Sequence, residues 1–209
     1  DRFDKNRQNA FTFKDYVEAL NDFSESSTYK EDKDYWMEQI SLIPPAPMLP
    51  LQKDPSVIRK PQFARIEKVI PKSEWNVLQK EAKKKGITTS TLLCTAYALV
   101  LGYWSNQPEL TINVTVFTRY PFNEGVTDIV GDFTSVILLR VNLLGRSDFW
   151  KLASEIQNQL MDALEHRHYD GMNVIRKIAE QAEMKEQAVM PVVFTSLLFS
   201  MEEGDIVTI

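Results

Sequence analysis

LTINVTVFTRYPFNEGVTDIVGDFTSVILLRVNL, residues 110–143, is the stretch from which the fold can be read. Leu110 to Thr118 is dense in β-branched residues and reads as a strand, Arg119 to Gly131 as a loop, and Phe133 to Leu143 as a second strand. Phe133-Thr134-Ser135 opens the second apolar run, and the same tripeptide returns as Phe194-Thr195-Ser196 in PVVFTSLLFS, residues 191–200. A strand hides one face in a core, where an unpaired hydroxyl costs roughly 1–3 kcal/mol. Two such segments predict a polar site lined by strands.

Working outward, Pro191 is expected to open a last strand, Val192 to Ser200. Between it and the central pair, Ser147 is placed to cap a long amphipathic helix with a stripe of Phe149, Leu152, Ile156, Leu160 and Leu164. A further helix is expected from about Asn173 to Lys185. On the N-terminal side, Gln62 to Ile70 reads as a strand. Ser73 then begins a helix through Trp75, Leu78 and Ala82 that stops at three lysines and Gly86, where the lysines suit the helix dipole. Thr88 or Thr89 can cap TLLCTAYALVLGYW, which is apolar nearly all round and predicts a helix buried between layers. Residues 13–23 and 29–42 read as two more helices. They are followed by IPPAPMLPLQKDP, whose prolines exclude helix and mark a connector at residues 43–55. The order argues for an α/β fold, a layered sandwich with a mixed sheet flanked by helices.

Composition narrows the function. The net charge of −5 comes from 24 basic and 29 acidic side chains mixed along the chain, so no basic field is available for a phosphate backbone and no nucleic-acid partner is expected. The longest apolar stretch, Leu92 to Trp104, falls short of the roughly 20 residues that span a bilayer, and no membrane partner or signal peptide is expected. The single Cys94 sits at an apolar position, which fits packing in a reducing cytoplasm rather than a nucleophile.

Few residues remain that could carry chemistry. Two histidines two apart and one cysteine make no metal-ligand set, and neither Ser135 nor Ser196 lies in a nucleophile elbow. His166-Arg167-His168-Tyr169-Asp170-Gly171 contains H-x-x-x-D-G, the pattern of acyl transfer in peptide condensation domains. Here it follows a long helix and is preceded by Glu165, so a helix terminus with Gly171 as its C-cap is the preferred reading. Polar residues inside strands form the better group: Asn113 and Thr115, Asp132 and Thr134, and Thr195. Asn offers donor and acceptor, Thr a rotatable hydroxyl, and an enclosed Asp can relay a proton. Asp132 and Thr134 are equally suited to bonding local backbone at a strand start.

Three motifs in order resemble the heterocyclization domain of nonribosomal peptide synthetases, a relative of the condensation domain. Ile43-Pro44-Pro45-Ala46-Pro47-Met48-Leu49-Pro50-Leu51 with Pro55 is similar to LPxxPxLPLxxxP, with Ile for the first Leu. Gly131-Asp132-Phe133-Thr134-Ser135 with Leu138-Leu139 is similar to GDFT…LL, and Pro191 to Ser196 to PVVFTS, with Tyr35-Trp36 upstream. The family's DxxxxD and TPQVxLD motifs have no counterpart here. The resemblance implies one lobe of a chloramphenicol-acetyltransferase-like fold. Residues 1–42 would be the helical end of the N-terminal lobe, 43–55 the connector and 56–209 most of the C-terminal lobe. It also implies an enzyme that joins an upstream acyl or peptidyl thioester to a carrier-bound Cys, Ser or Thr and cyclodehydrates the product to a thiazoline or oxazoline.

No directly bound cofactor is implied, because the substrates ride on 4'-phosphopantetheine. Upstream and downstream carrier proteins, adjacent synthetase domains and the N-terminal lobe would be the partners. By motif matching, Thr195 is the expected cyclodehydration residue, positioning an acid/base aspartate that the family carries further downstream. Asn113 would hydrogen-bond the amide or hemiaminal oxygen, and Asp132 would support both from the neighbouring strand. The polypeptide alone is expected to be inactive and to self-associate through its open half-interface. Two alternatives stand beside this reading, a non-catalytic carrier-docking or scaffold module on the same lobe and an acyltransferase working through His166.

Overall fold

A computed structural model of the chain describes residues 11–145, 148–182 and 189–198. The centre is the strand β1 (Glu109–Phe117), which pairs antiparallel with β2 (Thr134–Asn142) in a register running from Glu109 opposite Asn142 to Phe117 opposite Thr134. Its other edge pairs parallel with the short β3 (Val193–Phe194), Asn113 beside Val193 and Val114 beside Phe194. The sheet order is β2-β1-β3, a mixed sheet as expected. Ahead of β3 the same edge is taken by the proline segment: the Pro45 carbonyl accepts the Thr111 N–H at 3.0 Å, and the Pro44 carbonyl accepts the Thr111 hydroxyl at 2.6 Å. Prolines suit that position because they offer carbonyls without leaving N–H groups exposed.

Side chains alternate across a strand, so Leu110, Ile112 and Val114 share a face with Val141, Leu139 and Ile137 opposite them. All six are buried. Two helices cover this face, α4 (Thr89–Ser105) and α5 (Phe149–Glu165), and their Cys94, Ala98, Leu101, Leu152 and Ile156 join the same core. The other face receives α6 (Gly171–Gln181), which packs on β2. Trp36 and Ile40, at the end of α2 (Ser27–Gln39) and the 3-10 turn after it, belong to that core as well. The helix α1 (Phe13–Phe23), opened by a Thr12–Asp15 capping box, packs elsewhere. Its Tyr16 meets Val126, Ile129 and Phe133 in a second cluster, donates its hydroxyl to the Thr118 carbonyl and accepts the Tyr120 N–H. There Arg119 lies 3.8 Å from the Phe133 ring centroid and donates to the Val126 and Ile129 carbonyls, which fixes the loop between β1 and β2. Phe133 of the first Phe-Thr-Ser is thus spent on anchoring that loop.

Several expectations change. Gln62 to Ile70 forms no ladder beyond an isolated bridge at Val69, and Phe63 and Ile66 stand 96% and 93% exposed. β propensity supplies no hydrogen bonds by itself, and no sheet strand lies alongside this segment among the described residues. The helix α3 (Lys72–Lys84) follows, ending at Gly86 with φ +69°. Thr88 caps α4, but that helix is not enclosed: Tyr103 is 81% exposed and Trp104 62%, because sheet and α5 reach only its inner side. The cap of α5 is Asp148, which accepts the Trp150 and Lys151 N–H groups; Ser147 lies outside the described residues. The helix α6 starts earlier than expected, at Gly171, and ends at Gln181; Lys185, and Ser200 at the end of the expected last strand, lie outside the described residues. No single described helix is long and apolar enough to cross a membrane.

Gly171 is not a C-cap. It is the first residue of α6, where a Cβ would collide with the carbonyl group of Val136 in β2. Gly171→Ala should therefore destabilise the chain by about 1–3 kcal/mol despite alanine's better helix propensity, read as a lower urea midpoint. A raised midpoint would show that the contact can relax.

Cys94 is fully buried, and burial pushes its thiol up to about 12. A thiol raised above its unfolded value contributes stability below that value and loses it as pH climbs through the folded one, so alkaline destabilisation should begin above about pH 8.5. Thiol labelling near neutral pH should proceed only as fast as the fold opens, and immediate stoichiometric labelling would contradict this.

Candidate functional site

The alternation of β1 puts Asn113 and Thr115 on the face opposite the α4–α5 side, and the parallel register sets Thr195 beside Thr115. The Thr115 and Thr195 hydroxyl oxygens lie 2.8 Å apart. Asn113 donates its backbone N–H to the Val192 carbonyl at 3.0 Å and is 7% exposed, yet its Oδ1 accepts no hydrogen bond among the described residues. An unpaired buried acceptor costs roughly 1–3 kcal/mol, so Asn113 stands ready to accept a donor. Thr195 is exposed and Thr115 half-buried, so the hydroxyl pair opens outward next to a buried amide.

The two Phe-Thr-Ser tripeptides lie on opposite edges of β1 and do different work. In the first, Thr134 is exposed at the start of β2, and Ser135, opposite Val116, is buried on the α4–α5 side with no partner for its Oγ among the described residues. In the second, Thr195 faces the Asn113 side, and the Ser196 hydroxyl meets that of Ser90 at 2.7 Å in the first turn of α4. Beside Ser196 a cavity of about 400 Å³ runs under the sheet between α4 and α5, walled by Val114, Val116, Phe194, Leu160 and Leu164.

Asp132 stands apart from the trio. It is exposed beyond the Thr134–Phe117 pair, where its Oδ1 accepts the Thr134 N–H at 2.9 Å. The Thr134 hydroxyl, and then the Thr134 backbone N–H, hold its carboxyl below the ordinary aspartate value. The observed geometry is the local turn-closing arrangement, with no contact to Asn113 or Thr195.

The H-x-x-x-D-G stretch joins α5 to α6. His166 caps α5, its Nδ1 2.9 Å from the Asp162 carbonyl, its ring stacked 3.6 Å from that of Tyr35, and its own carbonyl accepting Trp36 Nε1–H at 2.8 Å. Asp170 caps α6 by accepting the Asn173 N–H. Between them His168 meets a residue that sequence reading missed. Asp32 of α2 is 5% exposed, and its Oδ2 lies 2.9 Å from both the backbone nitrogen and Nδ1 of His168. The signal was present: Asp32 shares a helical stripe with Tyr29, Trp36 and Ile40, and a lone carboxylate on a buried stripe needs a partner. Among the described residues no three His, Cys, Asp or Glu side chains are grouped to hold a metal ion.

Comparison with known proteins gives consistent results. The family model described as condensation domain matches residues 4–205. Bacitracin synthase 1 of Bacillus licheniformis is 44% identical over 189 residues, 90% of this chain and 4% of that protein. Phenyloxazoline synthase MbtB of Mycobacterium tuberculosis is 30% identical over 190 residues, 90% of this chain and 13% of that protein. The solved EpoB cyclization-docking bidomain from Sorangium cellulosum superposes with a TM-score of 0.80 at 35% identity, covering 89% of this chain and 38% of that one. The chain thus spans a small part of the curated relatives it matches.

The geometry makes opposite demands of the two histidine-region residues. Asp32→Ala should cost about 2 kcal/mol or more in urea denaturation by stranding His168. His166→Ala should cost about 1 kcal/mol through the lost Tyr35 stack while leaving turnover of the intact enzyme in place. Abolished turnover with an unmoved unfolding midpoint would return His166 to the chemistry.

Proposed function

The chain belongs to the condensation domain family of nonribosomal peptide synthetases, and from that premise we propose that it is part of a heterocyclization domain. In the proposed reaction the amine of a Cys, Ser or Thr on a downstream carrier protein attacks an upstream acyl or peptidyl thioester, releasing the upstream thiol and forming an amide. The thiol or hydroxyl side chain then adds to the amide carbonyl carbon. Loss of that oxygen as water, with the amide proton, leaves the C=N bond of a thiazoline or oxazoline. Both substrates would be carried on 4'-phosphopantetheine, so the domain would hold no cofactor of its own.

The observation that carries this reading is the Thr115–Thr195 hydroxyl pair on the same sheet face as Asn113, whose Oδ1 has no partner among the described residues. An intermediate bearing a new hydroxyl needs a hydrogen-bonding group that is not already committed, and Asn113 can both accept from and donate to it. The naming of the EpoB bidomain as a cyclization protein and of MbtB as an oxazoline synthase favours ring formation over condensation alone.

None of Asn113, Thr115 and Thr195 titrates near neutral pH, so the proton that leaves with water must pass through a group outside the trio. Thr195 would orient that acid/base group, and Asp132 would act from a distance by fixing the start of β2. On this account the polypeptide alone is inactive and works only with the remainder of its domain. The connector role of residues 43–55 is supported by the way their carbonyls seal the edge of β1.

In the intact domain with loaded carrier proteins, Thr195→Ala or Asn113→Ala should lower ring formation by about 100-fold, the scale set by removing one hydrogen-bonding group from a developing charge. The condensed product heavier by one water should accumulate, as seen by mass spectrometry. An unchanged yield of ring would remove both residues from the site.

A further inference from the structure

Thr195 is exposed on a two-residue edge strand, whereas Thr115 lies in the central strand, which is paired along one edge through all nine residues of β2. A hydroxyl on an exposed edge turns freely toward water unless something holds it, and the Thr115 Oγ1 at 2.8 Å is the group in place to hold it. Thr115 suits that task. Its β-branched side chain is stiff about χ1, its backbone is fixed by the Val136 pairing, and its hydroxyl meets no other described group in hydrogen-bonding distance besides Thr195. Each hydroxyl has one proton, so a bond between the two spends one donor and leaves one free for a further acceptor, on the sheet face where Asn113 Oδ1 has no partner among the described residues.

Resting on the heterocyclization reading, we propose that Thr115 is a positioning residue that holds the Thr195 hydroxyl in the orientation needed for loss of water.

The test uses the intact domain with loaded carrier proteins and reads two quantities from one sample, total condensed product and the fraction converted to ring. Thr115→Val keeps the shape and removes the hydroxyl, and should lower the ring fraction about tenfold. Thr115→Ser keeps the hydroxyl and should restore the fraction to within about twofold. Combined with Thr195→Ala, Thr115→Val should add nothing further, because the group it positions is gone. An unchanged ring fraction in Thr115→Val, while Thr195→Ala collapses it, overturns the positioning role and leaves the site reading intact. An unchanged fraction in Thr195→Ala overturns the site reading and this inference with it. Equal loss of condensation and ring formation in both Val and Ser variants would mark a packing role and also overturn the proposal.

Discussion

The buried backbone donors and acceptors along Glu109–Phe117 need partners, and the chain supplies them from three distant places. One edge is completed by β2. The other is shared, with Pro44 and Pro45 serving Thr111 and Val192 serving Asn113. Because the donors of a single strand draw these segments in, residues far apart in sequence meet at fixed registers. The neighbourhood of Asn113, Thr115 and Thr195 follows from backbone pairing before any side chain makes a contact. The helices then have only to cover the two faces that the pairing has set.

Much of this was legible because local chemistry and tertiary structure agree. The strands at residues 110–143 are β-branched and bounded by turn residues, and Thr88 stands where a hydroxyl caps α4. What escaped reading depends on neighbours. The segment at residues 62–70 has the composition of a strand but no ladder beside it. The apolar helix α4 looked enclosed from its composition, yet only one side meets the sheet and α5. The value of Gly171 lies in a contact with Val136, 35 residues upstream and invisible to any local pattern.

The candidate site shows the same division. Asn113 and Thr195 could be picked out as polar residues in apolar strands, but that Thr115 would meet Thr195 depended on a parallel register no spacing rule supplies. Asp132, by contrast, was equally readable as a site residue or as a turn closer, and its bond to the Thr134 N–H shows the second arrangement. His166 to Gly171 carries the letters of an acyltransfer motif, while the structure uses them as a helix cap, a carboxylate partner, a second cap and a close helix–strand contact. A short motif carries meaning only through the elements that present it.

The shared edge of β1 also dictates when the site can exist. A chain leaves the ribosome from its N-terminus, so the proline segment and the β1–β2 hairpin are available early, and their contacts can form as they emerge. The Thr115–Thr195 pair joins residues 80 apart in sequence and cannot form until β3 is out. Until then the lower half of that edge is an unpaired row of amides, open to any other extended segment in reach. Assembly of the site therefore waits for β3, and the interval before it is when this edge of the nascent chain is most exposed to mispairing.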